Sequence, residues 1–138
     1  MIPVYQADHD PKDMVKNDAI FEKCFAHLAN KKAILIFPEG TSRTERKLRP
    51  IKTGTARICL GAEKQNDFAL GVQIVPIGIN YSNPHHFKSD VFINFGEPIL
   101  VKKYQKQFEA DNWDGVLQLT ERLKTELEKL VIIVEDER

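Results

Sequence analysis

The chain has 138 residues, which is enough for one domain with a hydrophobic core but hardly for two. Hydrophobic residues make up 42% and charged residues 29%, and the formal net charge is zero, so no overall field favours nucleic acid or an anionic membrane surface as a partner. No apolar run approaches the roughly 20 residues that a membrane-spanning helix needs, so we expect any membrane contact to be peripheral or made by other residues.

The first part of the chain predicts a strand end, a helix and a buried strand. Residues 2–5 read as the end of a strand, and the apolar spacing across residues 14–29 is that of an amphipathic helix. The continuous apolar run of residues 33–37 predicts a strand that is buried on both faces. Pro38 cannot donate a backbone hydrogen bond, and we expect it to end this strand.

The remainder of the chain predicts a helix, two strands and a long helix. The helix over residues 53–64 follows a charged loop, and its small residues would let it pack closely on a sheet. Strands are predicted over residues 72–81 and 90–95. The long helix spans residues 114–134, although its last four residues could equally form a short strand. This alternation is typical of an α/β domain with a mainly parallel or mixed sheet flanked by helices.

The chain starts abruptly, because the strand end at residues 2–5 has no earlier element to pair with. We therefore interpret residues 1–138 as a single, partial domain that is truncated at its N-terminus. The alternative is a small complete protein with an edge strand at its terminus.

The two cysteines, Cys24 and Cys59, have no metal-ligand spacing, and each falls where an apolar helix face is expected. Free cysteine is among the most buried residue types, and reduced thiols are typical of intracellular proteins. We therefore predict two buried free thiols in a reducing compartment.

The stretch ILIFPEGTSRTERK brings a carboxylate, a glycine, hydroxyls and cations into one loop after a buried strand. Ligands bind at the ends of strands in open α/β sheets, so this combination suits a ligand with phosphate and hydroxyl groups. Gly40 permits a positive φ or a close approach of the backbone to a ligand. From spacing alone, Glu39 could equally bind a substrate hydroxyl or pair with Arg43 or Lys52.

The words FPEGTS, then KTG at Lys52, then IVPIGINY ending at Tyr81, resemble motifs of the glycerolipid acyltransferases, the family of glycerol-3-phosphate and lysophosphatidate acyltransferases. IPVYQ resembles the family's second motif, with Gln6 where an Arg is usual. The resemblance implies a glycerol-3-phosphate acyltransferase-like fold. It also implies acyl transfer from acyl-CoA or acyl carrier protein to a hydroxyl of glycerol phosphate or lysophosphatidate in phospholipid biosynthesis.

The resemblance implies no metal and no organic cofactor. It also implies a full-length protein at the cytoplasmic face of the membrane, with peripheral membrane contact and no role for nucleic acid. The family's third motif has a substrate-contacting glutamate at the position of Glu39. We expect Arg43 and then Lys52 to hold phosphate, because a guanidinium matches phosphate in a bidentate manner and an ammonium acts as a point charge. The full set of predicted substrate-binding residues is Glu39, Gly40, Thr41, Ser42, Arg43 and Lys52.

No catalytic residue is assigned within this chain. The family's catalytic His-x-x-x-x-Asp motif precedes the second motif, so we expect it upstream and expect the fragment alone to be inactive. His85 and Asp90 match the same spacing, but they follow the fourth motif, and we interpret them as a surface loop and a strand start. Ile77 and Ile79 of the fourth motif are read equally well as core residues or as the lining of an acyl pocket.

Three hypotheses therefore describe the function. The first is the substrate-binding part of a glycerolipid acyltransferase. The second is a non-catalytic phosphate- or lipid-binding module of the same fold, which kept the cations and lost the base. The third is an α/β interaction domain whose basic loop is merely solvated.

Overall fold

The computed structural model of the protein describes residues 11–38, 50–81 and 90–130, with side chains from residue 18 in the first range and as far as residue 80 in the second. The described residues form helices and short strands around a helical core. In chain order the elements are α1 (Pro11–Ala29), α2 (Gly54–Gln65), β1 (Gln73–Ile74), β2 (Ile77–Tyr81), β3 (Val91–Phe95), β4 (Ile99–Leu100), a 3-10 helix (Val101–Tyr104), α3 (Gln105–Ala110) and α4 (Asn112–Leu130).

The apolar periodicity correctly predicted α1, α2 and α4, each to within a few residues over the described part of the chain. The predicted strand over residues 72–81 is interrupted around Pro76, which separates β1 from β2 because proline cannot donate to a strand ladder. The alternative of a short strand after α4 concerns residues 131–134, which lie outside the described residues. The sequence analysis missed the 3-10 helix and α3.

Helix α2 lies between α1 and α4 and contributes to both hydrophobic clusters of the described chain. One cluster joins α2 to α4, α3, the 3-10 helix and β4, and its buried members are Ala56, Cys59, Leu60, Phe68, Ile99, Val101, Phe108, Val116, Leu119, Leu123 and Leu127. The other joins α2 to α1 through Ile20, Cys24 and Ile58. Each fully buried aliphatic side chain contributes about 1.5–3 kcal/mol, so these contacts fix the position of α2.

Gly61 of α2 allows a close approach to helix α1. A Cβ built on Gly61 would lie 2.5 Å from Cζ of Phe25 on α1, so the ring occupies the space that a side chain would need. The guanidinium of Arg57 lies 4.8 Å from the centroid of the Phe21 ring at the edge of the same contact. The close approach at Gly61 is therefore to a helix, while Ala56 belongs to the cluster that also contains Ile99 of β4.

The mixed α/β class is confirmed, whereas a mainly parallel sheet is not. The strands that the structure describes form two antiparallel pairs, β1 with β4 and β2 with β3. A parallel crossover needs about a dozen or more connecting residues, and the connection over residues 82–90 is shorter than that. Apolar strands read from sequence do not reveal the direction in which they pair.

The hairpin of β2 and β3 has one covered face and one open face. On the covered face, Gly78 lies against Leu130 at the end of α4, and the Asn80 side-chain amide donates to the Leu130 carbonyl at 3.1 Å. On the open face, Ile79 pairs with Ile93, and these side chains are 46% and 55% exposed. Phe95, opposite Ile77, is 69% exposed. Ile79 therefore does not belong to the buried core of the described chain.

The predicted strand over residues 33–37 is not part of any described ladder, so its assignment as a doubly buried strand was wrong. Ile34 and Ile36 are half-buried against the cluster of α1 and α2. Leu35 and Phe37, which alternate with them, are 75% and 68% exposed. The segment is covered on one side only, because among the described residues the helices supply a layer on that side alone.

The turn after α2 is organised by Glu63, whose side chain is fully buried. One carboxylate oxygen accepts a hydrogen bond from the Leu70 N–H at 3.0 Å, and the Glu63 carbonyl accepts from the Phe68 N–H at 2.7 Å. These bonds hold Asp67 and Phe68 at φ values of 54° and 56°. Phe68 then meets the Phe108 ring edge-on, with centroids 6.3 Å apart. The turn thus links the end of α2 to α3.

The packing of α4 on α3 predicts that Gly115→Ala destabilises the protein. A Cβ at Gly115 would lie 2.6 Å from the Cα of Phe108, and backbone atoms cannot move aside as a flexible side-chain end can. We expect the free energy of unfolding to fall by about 1–3 kcal/mol in a urea titration. Gly54→Ala is the matched control, since a Cβ there meets nothing within 4 Å. Equal stability of the two variants would contradict this packing.

Candidate functional site

The two ends of the predicted substrate loop meet in the structure. The Lys52 N–H donates a hydrogen bond to the Pro38 carbonyl at 2.9 Å. Pro38, before the loop, and Lys52, after it, are therefore neighbours in space. Lys52 itself is exposed, so its ammonium is accessible at this junction. The other predicted substrate-binding residues, Glu39, Gly40, Thr41, Ser42 and Arg43, lie outside the described residues.

The first turn of helix α2 lies directly after this junction. Thr53 precedes it without a side-chain cap, and no acidic residue lies in the first turn. The backbone N–H groups that start a helix carry partial positive charge and have no intrahelical partner. Together with Lys52, they make this corner favourable for an anion.

Two further features of the first turn of α2 bear on ligand binding at this corner. A Cβ built on Gly54 would meet nothing within 4 Å, so the backbone is open to a close approach there. The Thr55 hydroxyl is buried and has no hydrogen-bond partner among the described residues. Sequence analysis assigned Lys52 but missed these backbone donors. The KTG word at the start of a helix that has no acidic residue in its first turn would have indicated these donors.

The structure describes only one of the two residues that match the spacing His-x-x-x-x-Asp. His85 lies outside the described residues. Asp90 is exposed directly before β3, as the interpretation as a strand start expected.

A groove of about 420 Å³ lies near the other end of α2, lined by residues that include Lys64, Phe68 and Phe108. The Lys64 ammonium is 5.8 Å from the centroid of the Phe108 ring. Because α2 has 12 residues, this end is about 18 Å from Lys52. The groove is therefore separate from the junction at Pro38.

Both cysteines are buried free thiols, as predicted. Burial raises the pKa of the Cys59 thiol to about 12, with the nearby Glu63 carboxylate and Cys24 adding to the shift. Burial also raises the pKa of Cys24. A thiol is reactive mainly as the thiolate, so neither cysteine is suited to act as a nucleophile.

Metal-binding clusters and membrane-spanning helices are both absent from the parts of the chain that the structure describes. His, Cys, Asp and Glu side chains there form no group of three that could hold a metal ion. The helices there include none that combines the length and the apolar character needed to cross a membrane.

The known proteins that this chain is similar to are all acyltransferases. The family model described as Acyltransferase matches residues 5–80. The chain is 36% identical over 128 residues to glycerol-3-phosphate O-acyltransferase 1 of Saccharomyces cerevisiae, covering 88% of this chain and 16% of that protein. It is 34% identical over 116 residues to glycerol-3-phosphate O-acyltransferase 2 of the same yeast, covering 83% of this chain and 16% of that protein.

A third relative is an uncharacterized acyltransferase of Schizosaccharomyces pombe, which is 30% identical over 105 residues and covers 72% of this chain and 15% of that protein. The chain thus spans about one sixth of the length of these curated relatives. No solved structure matches it.

The buried Cys59 thiol predicts a loss of stability in alkaline solution. Its pKa rises from 9.0 to about 12 on folding, so its contribution is present below pH 9 and is lost as pH rises from about 9 to 12. Between pH 8 and pH 10, the free energy of unfolding should fall by about 1.4 kcal/mol more in the parent chain than in Cys59→Ala. Urea titrations at both pH values measure this, and an identical pH dependence in the two proteins would contradict burial of the thiol.

Proposed function

The chain belongs to the acyltransferase family, and we propose that it forms the acceptor-binding part of an enzyme that transfers an acyl group to a hydroxyl of glycerol 3-phosphate. Two relatives are named as glycerol-3-phosphate O-acyltransferases, which supports this acceptor over lysophosphatidate. An O-acyltransferase of glycerolipid synthesis is the activity common to the motifs in the sequence and to these relatives.

The hydrogen bond between the Lys52 N–H and the Pro38 carbonyl is the observation that carries the proposal. Glu39 is bonded directly to Pro38. This carboxylate, which we predict to bind substrate, therefore stands at the start of the loop, next to the hydrogen bond by which Lys52 closes it. The first turn of α2 adds backbone N–H donors to the same corner, and the Thr53 side chain does not cap them. A phosphate has the charge and the acceptor oxygens that suit this combination.

The proposed roles follow from the chemistry of acyl transfer. The acceptor hydroxyl oxygen attacks the thioester carbonyl carbon, a general base takes the hydroxyl proton, and the donor thiolate leaves. We assign the phosphate to Arg43 and Lys52 and a substrate hydroxyl to Glu39. The family motif His-x-x-x-x-Asp would supply the base and its orienting acid from sequence outside this chain. The donor is acyl-CoA or acyl carrier protein, and no metal or organic cofactor takes part.

We also propose where the enzyme acts, from the chemistry of its substrate and product. Its substrate and product are membrane lipid precursors, which supports a peripheral location at the cytoplasmic face of the membrane. A binding module without catalysis is the alternative, and it would bind the acceptor without turning it over in any longer form of the protein.

Replacement of Lys52 tests the phosphate contact. We expect Lys52→Gln to weaken binding of glycerol 3-phosphate about fivefold in isothermal titration, because an exposed charged contact is worth about 1 kcal/mol. Lys124→Gln is the matched control, since Lys124 is exposed on α4. Equal binding by both variants would remove Lys52 from the proposed site.

An acyl-transfer assay tests the assignment of the base. With glycerol 3-phosphate or lysophosphatidate as acceptor, we expect no turnover by the 138-residue chain or by His85→Ala, and equal acceptor binding by both. Turnover that disappears in His85→Ala would instead assign the base to His85, with Asp90 as its orienting acid. Turnover that survives the substitution would place the base at another residue of this chain.

A further inference from the structure

The groove at the last turn of α2 is separate from the junction at Pro38. It has a volume of about 420 Å³, and the structure describes every residue that lines it. Pockets that hold small molecules start at about 300 Å³, so the groove has room for a small ligand. It lies about 18 Å along α2 from Lys52, beyond the reach of a glycerol phosphate held there.

The floor of the groove is aromatic. Phe68 and Phe108 line it, are 5% and 7% exposed, and meet edge-on with their centroids 6.3 Å apart. The Lys64 ammonium lies 5.8 Å from the centroid of the Phe108 ring, so one cation is already held over this floor. The groove therefore combines an apolar base with charge at its edge.

The turn that shapes the groove has an uncommon backbone conformation. Asp67 and Phe68 are consecutive non-glycine residues with positive φ values of 54° and 56°. Glu63 holds them through the hydrogen bonds that its carboxylate and carbonyl accept from Leu70 and Phe68. Such conformations cluster at ligand sites and switches, where the surrounding structure maintains them. Here the conformation brings Asp67 to the rim of the groove and Phe68 to its floor.

The rim carries charges of opposite sign that do not neutralise each other. Lys64 and Asp67 are three residues apart, yet their side chains form no ion pair with each other or with any other described residue. The Asn112 amide likewise makes no side-chain hydrogen bond within the described chain. Glu109, also on the rim, accepts a hydrogen bond from the Gln105 amide at 3.0 Å. One ammonium, two carboxylates and two amides therefore line a single groove.

We propose that this groove binds a small zwitterion, with an ammonium group at one end and a phosphate or carboxylate at the other. The anionic end of the ligand pairs with the Lys64 ammonium, and its ammonium pairs with the Asp67 carboxylate. The carbon chain between them lies over the aromatic floor. Because the rim has one cation and two carboxylates, a purely anionic ligand such as glycerol 3-phosphate is disfavoured here. This inference does not depend on which acceptor binds beside Lys52.

NMR titration of the isotope-labelled 138-residue chain tests the proposal, with phosphoethanolamine as the zwitterion. We expect phosphoethanolamine to shift the amide signals of Asp67, Phe68 and Glu109. Ethanolamine and inorganic phosphate each carry only one of its charged groups. They should bind in the groove about fivefold more weakly, because each lacks one of the two charged contacts.

Matched substitutions assign the two contacts. Asp67→Asn should weaken phosphoethanolamine binding about fivefold and leave phosphate binding unchanged, whereas Lys64→Gln should weaken both. Asparagine tolerates the left-handed conformation, so the first variant keeps the turn. Lys124→Gln, on the exposed side of α4, should change neither. Lys52→Gln should also leave binding in the groove unchanged, which separates this inference from the proposed function.

The same zwitterionic chemistry occurs in free compounds and in lipid headgroups. Flotation with vesicles that contain phosphatidylethanolamine, compared with vesicles of phosphatidylglycerol alone, distinguishes these sources. Flotation that requires phosphatidylethanolamine and is lost in Asp67→Asn would identify the ligand as a lipid headgroup. Binding of phosphoethanolamine without such flotation would identify it as a soluble compound.

Three results would overturn the proposal. The first is an unchanged set of groove amide signals in the presence of phosphoethanolamine, while the signals of α4 show a folded chain. The second is equal binding of phosphoethanolamine and inorganic phosphate in the groove. The third is equal binding of phosphoethanolamine by the parent chain, Asp67→Asn and Lys64→Gln. If phosphoethanolamine shifted only the amides beside Lys52, this inference would fail and the proposed function would stand.

Discussion

Burial of α2 between α1 and α4 is the constraint on which the described structure depends. Leu60 of α2 and Leu119 of α4 are both fully buried, and Gly61 lets the Phe25 ring of α1 lie directly on the helix. Such contacts are non-directional individually, but close packing allows few other arrangements of the three helices. The ends of α2 are thereby held at defined places in the molecule.

Both ends of α2 carry features that depend on this fixed position. Its first turn follows Lys52 and the junction with Pro38, where we propose that the acceptor binds. Its last turn supplies Glu63, whose buried carboxylate and carbonyl hold the turn that leads to β1. A rigid helix thus begins at the Lys52 end of the loop to which we assign acceptor binding, and functional loops held by rigid elements are common in enzymes.

The helical core and the strands of the described chain differ in how far their apolar side chains are covered. Within the described residues, the helices bury one another's apolar side chains. By contrast, residues 33–37 and the open face of the hairpin expose aromatic and aliphatic side chains to solvent. Contiguous exposed apolar surface marks an interaction site more often than an ordinary surface.

Local pattern and tertiary context determined different parts of this protein. The sequence alone determined α1, α2 and α4, the two free thiols and the family, because helical periodicity and short motifs are local properties. It failed for residues 33–37, since an apolar run does not reveal whether a layer covers each face. It failed for strand direction and for α3, whose few apolar residues leave little periodicity to read.

Only the tertiary structure decided that Lys52 lies beside Pro38 and that the first turn of α2 brings its backbone N–H groups to that junction. These features join residues that are separated in the chain, and their positions follow from the packing of α2 rather than from any local preference of the loop.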